Sequence, residues 1–132
     1  MSHKFSLQVY YEDTDLAGIV YYANYLKFIE RARSTMVLEA GIDQLEMQQE
    51  GLVFAVKKVE ADYKASAKLN DDLRVETNLQ QLTGAKIVFS QDVYRGDTLI
   101  FCALVTVVCI TSTGKLTRFP AKIRAKLESA AK

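Results

Sequence analysis

The sequence predicts an α+β fold in which one long helix is followed by an antiparallel sheet. Between residues 22 and 40, apolar side chains recur three and four positions apart, which is the period of an amphipathic helix. After Gly51 the spacing changes to alternation, most cleanly from Leu73 to Gln80, which is typical of strands with one buried face. Because one helix cannot cover both faces of such a sheet, we also expect a partner subunit.

The individual elements follow from local signals. Gly41 supplies the stop for the long helix. Asp43 and Glu46 have the spacing of a capping box, which predicts a short second helix. A change in the phase of alternation near Lys57 predicts a β-bulge. The predicted elements are a strand at residues 4–11, a helix from 22 to 40, a short helix from 43, strands at 54–63, 73–80, 87–94 and 99–110, and a short C-terminal helix from Pro120.

Length and charge limit the possible functions. The 132 residues suit a single domain, residues 1–132, with one core. Seventeen Lys and Arg against sixteen Asp and Glu leave a net charge of +1, which gives no strong attraction for nucleic acid or an anionic membrane. The longest apolar run, residues 99–110, is too short to span a bilayer, and the N-terminus lacks the apolar core of a signal peptide.

The two cysteines indicate a compartment. Cys102 and Cys109 lie in one predicted strand, where seven residues place them about 23 Å apart on opposite faces. That distance excludes a disulfide between them. Two buried free thiols fit a reducing cytoplasm.

Elimination narrows the chemistry that an enzyme of this sequence could perform. His3 is the only histidine, so a Ser-His-Asp or Cys-His mechanism has no base. One histidine and two buried cysteines also argue against a zinc site. The sequence has neither a Walker loop nor a GxGxxG motif, so no nucleotide cofactor is expected. A carboxylate therefore has to do the catalytic work.

The stretch EDTDLAGIVYY, residues 12–22, is the best candidate for that work. In an extended segment Asp13 and Asp15 would point to the same side, where two close carboxylates raise the pKa of one of them. Gly18 permits a tight turn before the helix, whose first N–H groups are unpaired and partly positive. A carboxylate that acts as base or nucleophile would then lie beside N–H groups that can stabilise the oxyanion formed in acyl transfer. Acidic residues before a helix also simply cap it, so the residues alone leave both interpretations open.

The longer segment VYYEDTDLAGIVYYANYLKFIERAR resembles the signature of hotdog-fold acyl-CoA thioesterases of the YbgC and 4-hydroxybenzoyl-CoA thioesterase type. The resemblance extends to a basic, proline-containing closing segment at residues 118–120. It implies a hotdog fold, an antiparallel sheet wrapped around one long helix, in a homodimer or homotetramer. It also implies hydrolysis of acyl-CoA to free acid and coenzyme A, with acyl carrier protein as a further partner.

The resemblance assigns roles position by position. Asp15 matches the catalytic carboxylate, as a base or a nucleophile, and the backbone N–H of Tyr22 matches the donor that polarises the thioester carbonyl. The YbgC branch usually has histidine at position 22 and the 4-hydroxybenzoyl-CoA branch has tyrosine, so the acyl preference stays open. The positions that the resemblance places around the substrate are Asp13, Gly18, Val20, Tyr25 and Lys86.

Alternatives accompany these assignments. Lys86 matches the basic residues that contact coenzyme A phosphates, but a solvated hairpin lysine explains it equally well. The tyrosines near the helix start could line an acyl pocket, or be core residues with their hydroxyls at its edge. Glu30 and Arg33, three apart, are expected to form a helix-surface pair. The main functional alternative is a non-catalytic hotdog protein that binds acyl-CoA or acyl carrier protein; a hydratase or dehydratase is weaker, because it would normally need a histidine.

Overall fold

The structure, a computed structural model, describes residues 2–131 and confirms the predicted α+β class. A six-stranded antiparallel sheet holds one long helix against one face. No helix within residues 2–131 is both long and apolar enough to cross a membrane. The strands are β1 (His3–Gln8), β2 (Leu52–Tyr63), β3 (Asp72–Leu82), β4 (Ile87–Arg95), β5 (Thr98–Thr111) and β6 (Leu116–Thr117), and the helices are α1 (Asn24–Glu39), α2 (Gln44–Gln49) and α3 (Ala121–Ala130).

The strand order places β1 and β2 at opposite edges of the sheet. The order is β1-β3-β4-β5-β2, with the short β6 added to the end of β5. The register between β2 and β5 shifts between Val56 and Lys58, which confirms the predicted bulge near Lys57. In the described part of the chain β2 pairs with β5 alone, so its other edge has unpaired backbone groups.

Helix α1 lies across one face of the sheet. Its backbone comes nearest to β1 and β3, and its side chains reach β4 through the hydrogen bonds of Gln91 and β5 through the Tyr25–Phe101 stack. Its buried face therefore centres on Phe28 and Ala32, both 0% exposed. The predicted apolar stripe included Tyr22 and Leu26, which are 62% and 40% exposed, so that part of the prediction is wrong. The stop at Gly41 is confirmed, because this residue adopts φ +90°, a left-handed conformation that glycine tolerates.

Some boundaries also differ from the prediction. The first strand ends at Gln8 instead of continuing to residue 11, and Tyr11–Asp13 form a single 3-10 turn. The short strand β6 was not predicted at all. Helix α2 begins where expected, since the Asp43 side chain accepts hydrogen bonds from the N–H groups of residues 45 and 46. Helix α3 follows Pro120, as predicted.

A buried amide fixes α1 on the sheet. Gln91, 0% exposed in β4, donates from Nε2 to the Ile29 carbonyl at 2.8 Å and to the Thr77 hydroxyl at 2.9 Å. Its oxygen accepts a hydrogen bond from Arg33 at 2.9 Å. The prediction of a surface pair between Arg33 and Glu30 is therefore wrong, because the guanidinium turns inward to the sheet. Burial lowers the pKa of Arg33, and nearby Glu30 partly opposes that shift.

Candidate active site

Asp15 lies in a tight loop that leads into α1. Thr14 and Val20 form an isolated antiparallel bridge, and the Asp15 N–H donates to the Ile19 carbonyl at 2.9 Å. Gly18 closes the turn with φ +80°, and no atom lies within 4 Å of where a Cβ would stand. One Asp15 carboxylate oxygen accepts the Ala17 N–H at 2.9 Å. The other has no hydrogen-bond partner within residues 2–131, and the side chain is exposed.

Asp13 supports this loop from beneath instead of facing Asp15. Its side chain is 8% exposed and accepts the Tyr10 N–H at 2.8 Å. Its carbonyl accepts the Tyr21 N–H and the Asn24 side-chain amide, each at 2.9 Å. The expectation of two carboxylates on one side of an extended segment is therefore wrong, because the 3-10 turn directs the Asp13 side chain inward. Asp13 fixes the path of the backbone between the first strand and α1.

The first turn of α1 leaves backbone donors available. The Asn24 N–H donates to the Tyr21 carbonyl at 2.8 Å. In the described part of the chain, the N–H groups of Tyr22 and Ala23 have no acceptor. These donors stand at the positive end of the helix dipole, where negative charge is stabilised. The Tyr22 carbonyl is occupied, since the Tyr63 hydroxyl donates to it at 3.0 Å.

Asp15 and the helix start line one cleft of about 380 Å³. Tyr25 and Tyr63 give it an aromatic wall. Behind this wall the buried Phe101 ring stacks on Tyr25 with centroids 5.0 Å apart, and the Tyr63 ring stands on edge to both. Four of the predicted site residues meet here, whereas Asp13, Gly18 and Lys86 do not line this cleft. The lining residues are Asp15, Ile19, Val20, Tyr22, Tyr25, Tyr63, Lys64, Ala65 and Ser66.

Sequence reasoning missed Tyr63 and the segment that follows it. Tyr63 ends β2, and residues 64–66 begin the connection to β3. The sequence predicted a strand that ends at Tyr63, but no sequence signal connected this residue to position 22, 41 residues earlier. Burial raises the pKa of Tyr63, and also of Tyr25, where the Ala67 N–H partly opposes the shift. Both phenols are therefore neutral at pH 7.

Lys86 lies in a different cleft, which is basic. It follows a turn in which the Thr83 hydroxyl accepts the N–H groups of residues 85 and 86. The C-terminal segment docks on this turn, since the Phe119 N–H donates to the Gly84 carbonyl at 2.9 Å and a Cβ at position 84 would collide with Arg118. The cleft, of about 330 Å³, collects three cations that take part in no ion pair within residues 2–131: Lys57, Lys86 and Arg118.

A third cleft, of about 200 Å³, lies at the opposite end of β2 from Asp15, between α1 and the strand. Arg33 and Glu30 contribute charge to its otherwise largely apolar wall, which includes Phe54 and Val107. It contains neither a free helix start nor the Asp15 loop. Within residues 2–131 no group of three His, Cys, Asp or Glu side chains could hold a metal ion. The carboxylate and donors of the Asp15 cleft make it the candidate active site.

An antiparallel sheet around one long helix, with a carboxylate loop in front of that helix, is the architecture of the hotdog thioesterases. The chain belongs to the thioesterase-like superfamily, whose family model matches residues 9–127. It is 42% identical over 126 residues to the acyl-CoA thioesterase YbgC of Haemophilus influenzae, covering 92% of this chain and 90% of that protein. It is 38% identical to the acyl-CoA thioester hydrolase YbgC of Escherichia coli O6:H1, covering 81% of each.

Solved structures agree with this assignment. A structure described as a probable thioesterase from Bartonella henselae matches with a TM-score of 0.82 and 33% identity, covering 90% of this chain and 98% of that one. A 1,4-dihydroxy-2-naphthoyl-CoA thioesterase from Synechocystis has a TM-score of 0.87 at 20% identity, covering 96% of each chain, and supports the fold alone. The resemblance to hotdog thioesterases and the prediction of an enzyme are confirmed.

Proposed function

We propose that this chain hydrolyses acyl-CoA thioesters to the free acid and coenzyme A. One observation supports the proposal most strongly: Asp15 shares a cleft with the start of α1, and one of its carboxylate oxygens has no hydrogen-bond partner among residues 2–131. A carboxylate and unpaired backbone donors are the two parts that acyl transfer to water requires. The substrate class is supported by the two YbgC relatives, which are named for acyl-CoA thioester hydrolysis.

The mechanism follows from this pairing. The thioester carbonyl oxygen accepts the Tyr22 N–H, which becomes a stronger partner as negative charge develops on that oxygen. Asp15 either removes a proton from a water that attacks the carbonyl carbon, or attacks that carbon itself to give an anhydride that water then cleaves. The C–S bond breaks, the coenzyme A thiolate leaves and takes up a proton, and the acid is released. Both routes give the same products.

The basic cleft provides a site for the phosphates of coenzyme A. Lys57, Lys86 and Arg118 present three positive charges without acidic partners in the described chain. Phosphate oxygens bind such groups through charge-assisted hydrogen bonds. The interpretation of Lys86 as a phosphate contact is therefore preferred to that of a solvated lysine. An acyl carrier protein is the alternative carrier for the same thioester.

The active form is proposed to be a homodimer or homotetramer of single-domain chains in the cytoplasm. Val56, Val59 and Tyr63 on β2 are 50%, 40% and 47% exposed beside the free strand edge. Exposed apolar side chains along an unpaired edge favour association with a second strand. Light scattering at micromolar concentration tests this, and a stable monomer would contradict it. The free thiols of Cys102 and Cys109 suit a reducing compartment.

The decisive experiment measures thiol release from short-chain, long-chain and aromatic acyl-CoA. Asp15→Asn keeps the shape but removes basicity and nucleophilicity, so kcat should fall by at least about 100-fold with fold and oligomer unchanged. Glu12→Gln is the matched control, since Glu12 is an exposed neighbour outside the cleft. Activity of Asp15→Asn within a few-fold of the parent would refute the mechanism. Binding of acyl-CoA by the parent chain without thiol release would favour the non-catalytic alternative.

A further inference from the structure

The Tyr25 hydroxyl has a role that its packing does not require. The residue is 2% exposed, and its ring lies almost parallel to that of Phe101, with an interplanar angle of 13°. A phenylalanine ring would fill the same space. Packing in the core therefore explains the aromatic ring of Tyr25 but not its hydroxyl.

That hydroxyl begins a chain of hydrogen bonds that ends at the Asp15 loop. It accepts the Ala67 N–H at 3.0 Å, in the connection between β2 and β3. The carbonyl of Ala67 then accepts the Val20 N–H at 2.8 Å. Val20 forms the bridge with Thr14 that closes the loop around Asp15. Two hydrogen bonds, both made by Ala67, thus join the first turn of α1 to the loop that holds the Asp15 carboxylate.

The other anchors of the β2–β3 connection lie on either side of Ala67. Arg95 donates to the Ser66 carbonyl at 2.6 Å and pairs with Asp71 at 3.5 Å. Lys68 donates its N–H to the Asp71 carboxylate at 2.8 Å. Arg95 thus ties the connection to β4, the N–H groups of residues 64 and 65 tie it to the Ile100 carbonyl of β5, and the bond between Lys68 and Asp71 lies within it. None of these contacts involves α1. Within residues 2–131, the bond from the Ala67 N–H to the Tyr25 hydroxyl is the hydrogen bond that joins this connection directly to α1.

We propose that Tyr25 is a positioning residue that sets where Asp15 stands relative to the N–H groups at the start of α1. The proposal rests on the function proposed above, because it concerns the geometry of that reaction. Asp15 and the helix donors lie in one short segment, whose ends the Asp13 carbonyl holds together by accepting the Tyr21 N–H and the Asn24 amide. The path through Ala67 and Val20 adds a second link, from the first turn of α1 to the loop around Asp15. Displacements of about 1 Å can cost about 100-fold in rate, so a link of this kind acts on kcat. The basic cleft that would hold coenzyme A is not part of the link, so KM should change little.

The test compares three variants on one acyl-CoA substrate. Tyr25→Phe keeps the stacked ring and should lower kcat by about 10-fold or more, with KM within about two-fold. Thr77→Val is the matched control, because it also removes a buried hydroxyl that accepts one hydrogen bond, from Gln91, away from the cleft. It should lower thermal stability and leave kcat at the parental value. Asp15→Asn, measured alongside, reports whether the proposed function itself holds.

A second readout, independent of turnover, separates positioning from direct contact with substrate. In Tyr25→Phe, amide hydrogen exchange should accelerate in peptides covering residues 14–22 and 64–71 and stay unchanged in β3. Unchanged exchange with a reduced kcat would overturn the proposal, because the hydroxyl would then touch the substrate. A parental kcat in Tyr25→Phe, with Asp15→Asn inactive, would overturn this inference and leave the proposed function standing. Activity retained in Asp15→Asn would refute the proposed function instead.

Discussion

The hydroxyl of Tyr63, at the end of β2, donates a hydrogen bond to the carbonyl of Tyr22 at 3.0 Å. The carbonyl and the following N–H of a trans peptide point in opposite directions, so this bond also fixes the direction of the Ala23 N–H. It is one of two tyrosine hydroxyl contacts at the cleft, and it acts on the helix start, whereas that of Tyr25 acts through Ala67. The end of β2 and the connection that follows it thus act together on the orientation of the N–H groups at the start of α1.

Tyr63→Phe should weaken catalysis modestly. The lost bond is partly exposed, and a hydrogen bond of this type contributes about 0.5–1.5 kcal/mol, which corresponds to a fall in kcat of about 2- to 10-fold. Tyr94→Phe is a suitable control, because this tyrosine lies under the Arg74 guanidinium, outside the cleft. Steady-state kinetics of both variants are compared with the parent. If Tyr63→Phe turns over at the parental rate, the bond to Tyr22 does not matter for catalysis.

Substitutions at Tyr22 separate the role of its side chain from that of its backbone. The N–H is present whatever the side chain, and loss of one oxyanion donor typically costs about 100- to 1000-fold. Tyr22→Phe should therefore keep most of the turnover, while Tyr22→His should mainly redistribute activity among acyl groups. Tyr21→Phe, at an exposed neighbour, serves as the control. A loss in Tyr22→Phe as complete as in Asp15→Asn would show that the phenol itself is catalytic.

Gly18 should tolerate asparagine better than valine. Its φ of +80° strains any residue with a Cβ, by about 1–2 kcal/mol, although no neighbouring atom blocks the space. Asparagine adopts this conformation more readily than a β-branched residue does. Urea unfolding and kcat should therefore rank Gly18→Asn above Gly18→Val in both stability and activity. Equal behaviour of the two variants would mean that the loop relaxes to another backbone conformation.

Replacing Asp92 by a neutral side chain should stabilise the fold, by an amount that depends on pH. Burial raises its pKa, and the charge of Glu76 on the neighbouring strand raises it further. The folded chain thus binds this proton more tightly than the unfolded chain, so stability falls as pH rises through the raised pKa. Asp92→Asn should raise the melting temperature at pH 7, with a smaller difference at about pH 4, near the ordinary pKa of an aspartate. The exposed Glu128→Gln, on α3, is the control. A gain that is larger at about pH 4 than at pH 7 would contradict the assignment.

Local features of this fold could be predicted from sequence because they depend on local spacing. The period of α1, its stop at Gly41 and the bulge at Lys57 are all encoded within a few residues. The burial of Tyr22 was predicted incorrectly, because periodicity defines a stripe but not the strands that it meets. Tyr22 precedes the first residue of α1, and Leu26 lies at the margin of the face that the sheet covers, so both are left exposed.

The direction of the two aspartates required tertiary information. Asp13 turns inward because the Tyr10 N–H and the side chain of Asn24 bind it and its carbonyl, and neither bond is visible in an alternating pattern. The contributions of Tyr63 and Ala67 to the cleft likewise come from segments about 40 residues further along the chain. The sequence could locate the carboxylate loop and the helix start. The hydrogen bonds that hold them together could be found only in the folded chain.

The contrast between the two thiols has a practical consequence for chemical labelling. Cys109 is 0% exposed and burial raises its pKa, whereas Cys102 is only partly buried. Thiol reagents attack the thiolate, so Cys102 should react early and contribute a stoichiometric background to any assay that traps released coenzyme A. Cys109 should react only when β5 separates from β2 and β6, which pair with it there. The slow phase of labelling at this native cysteine would thus measure how often the centre of the sheet opens.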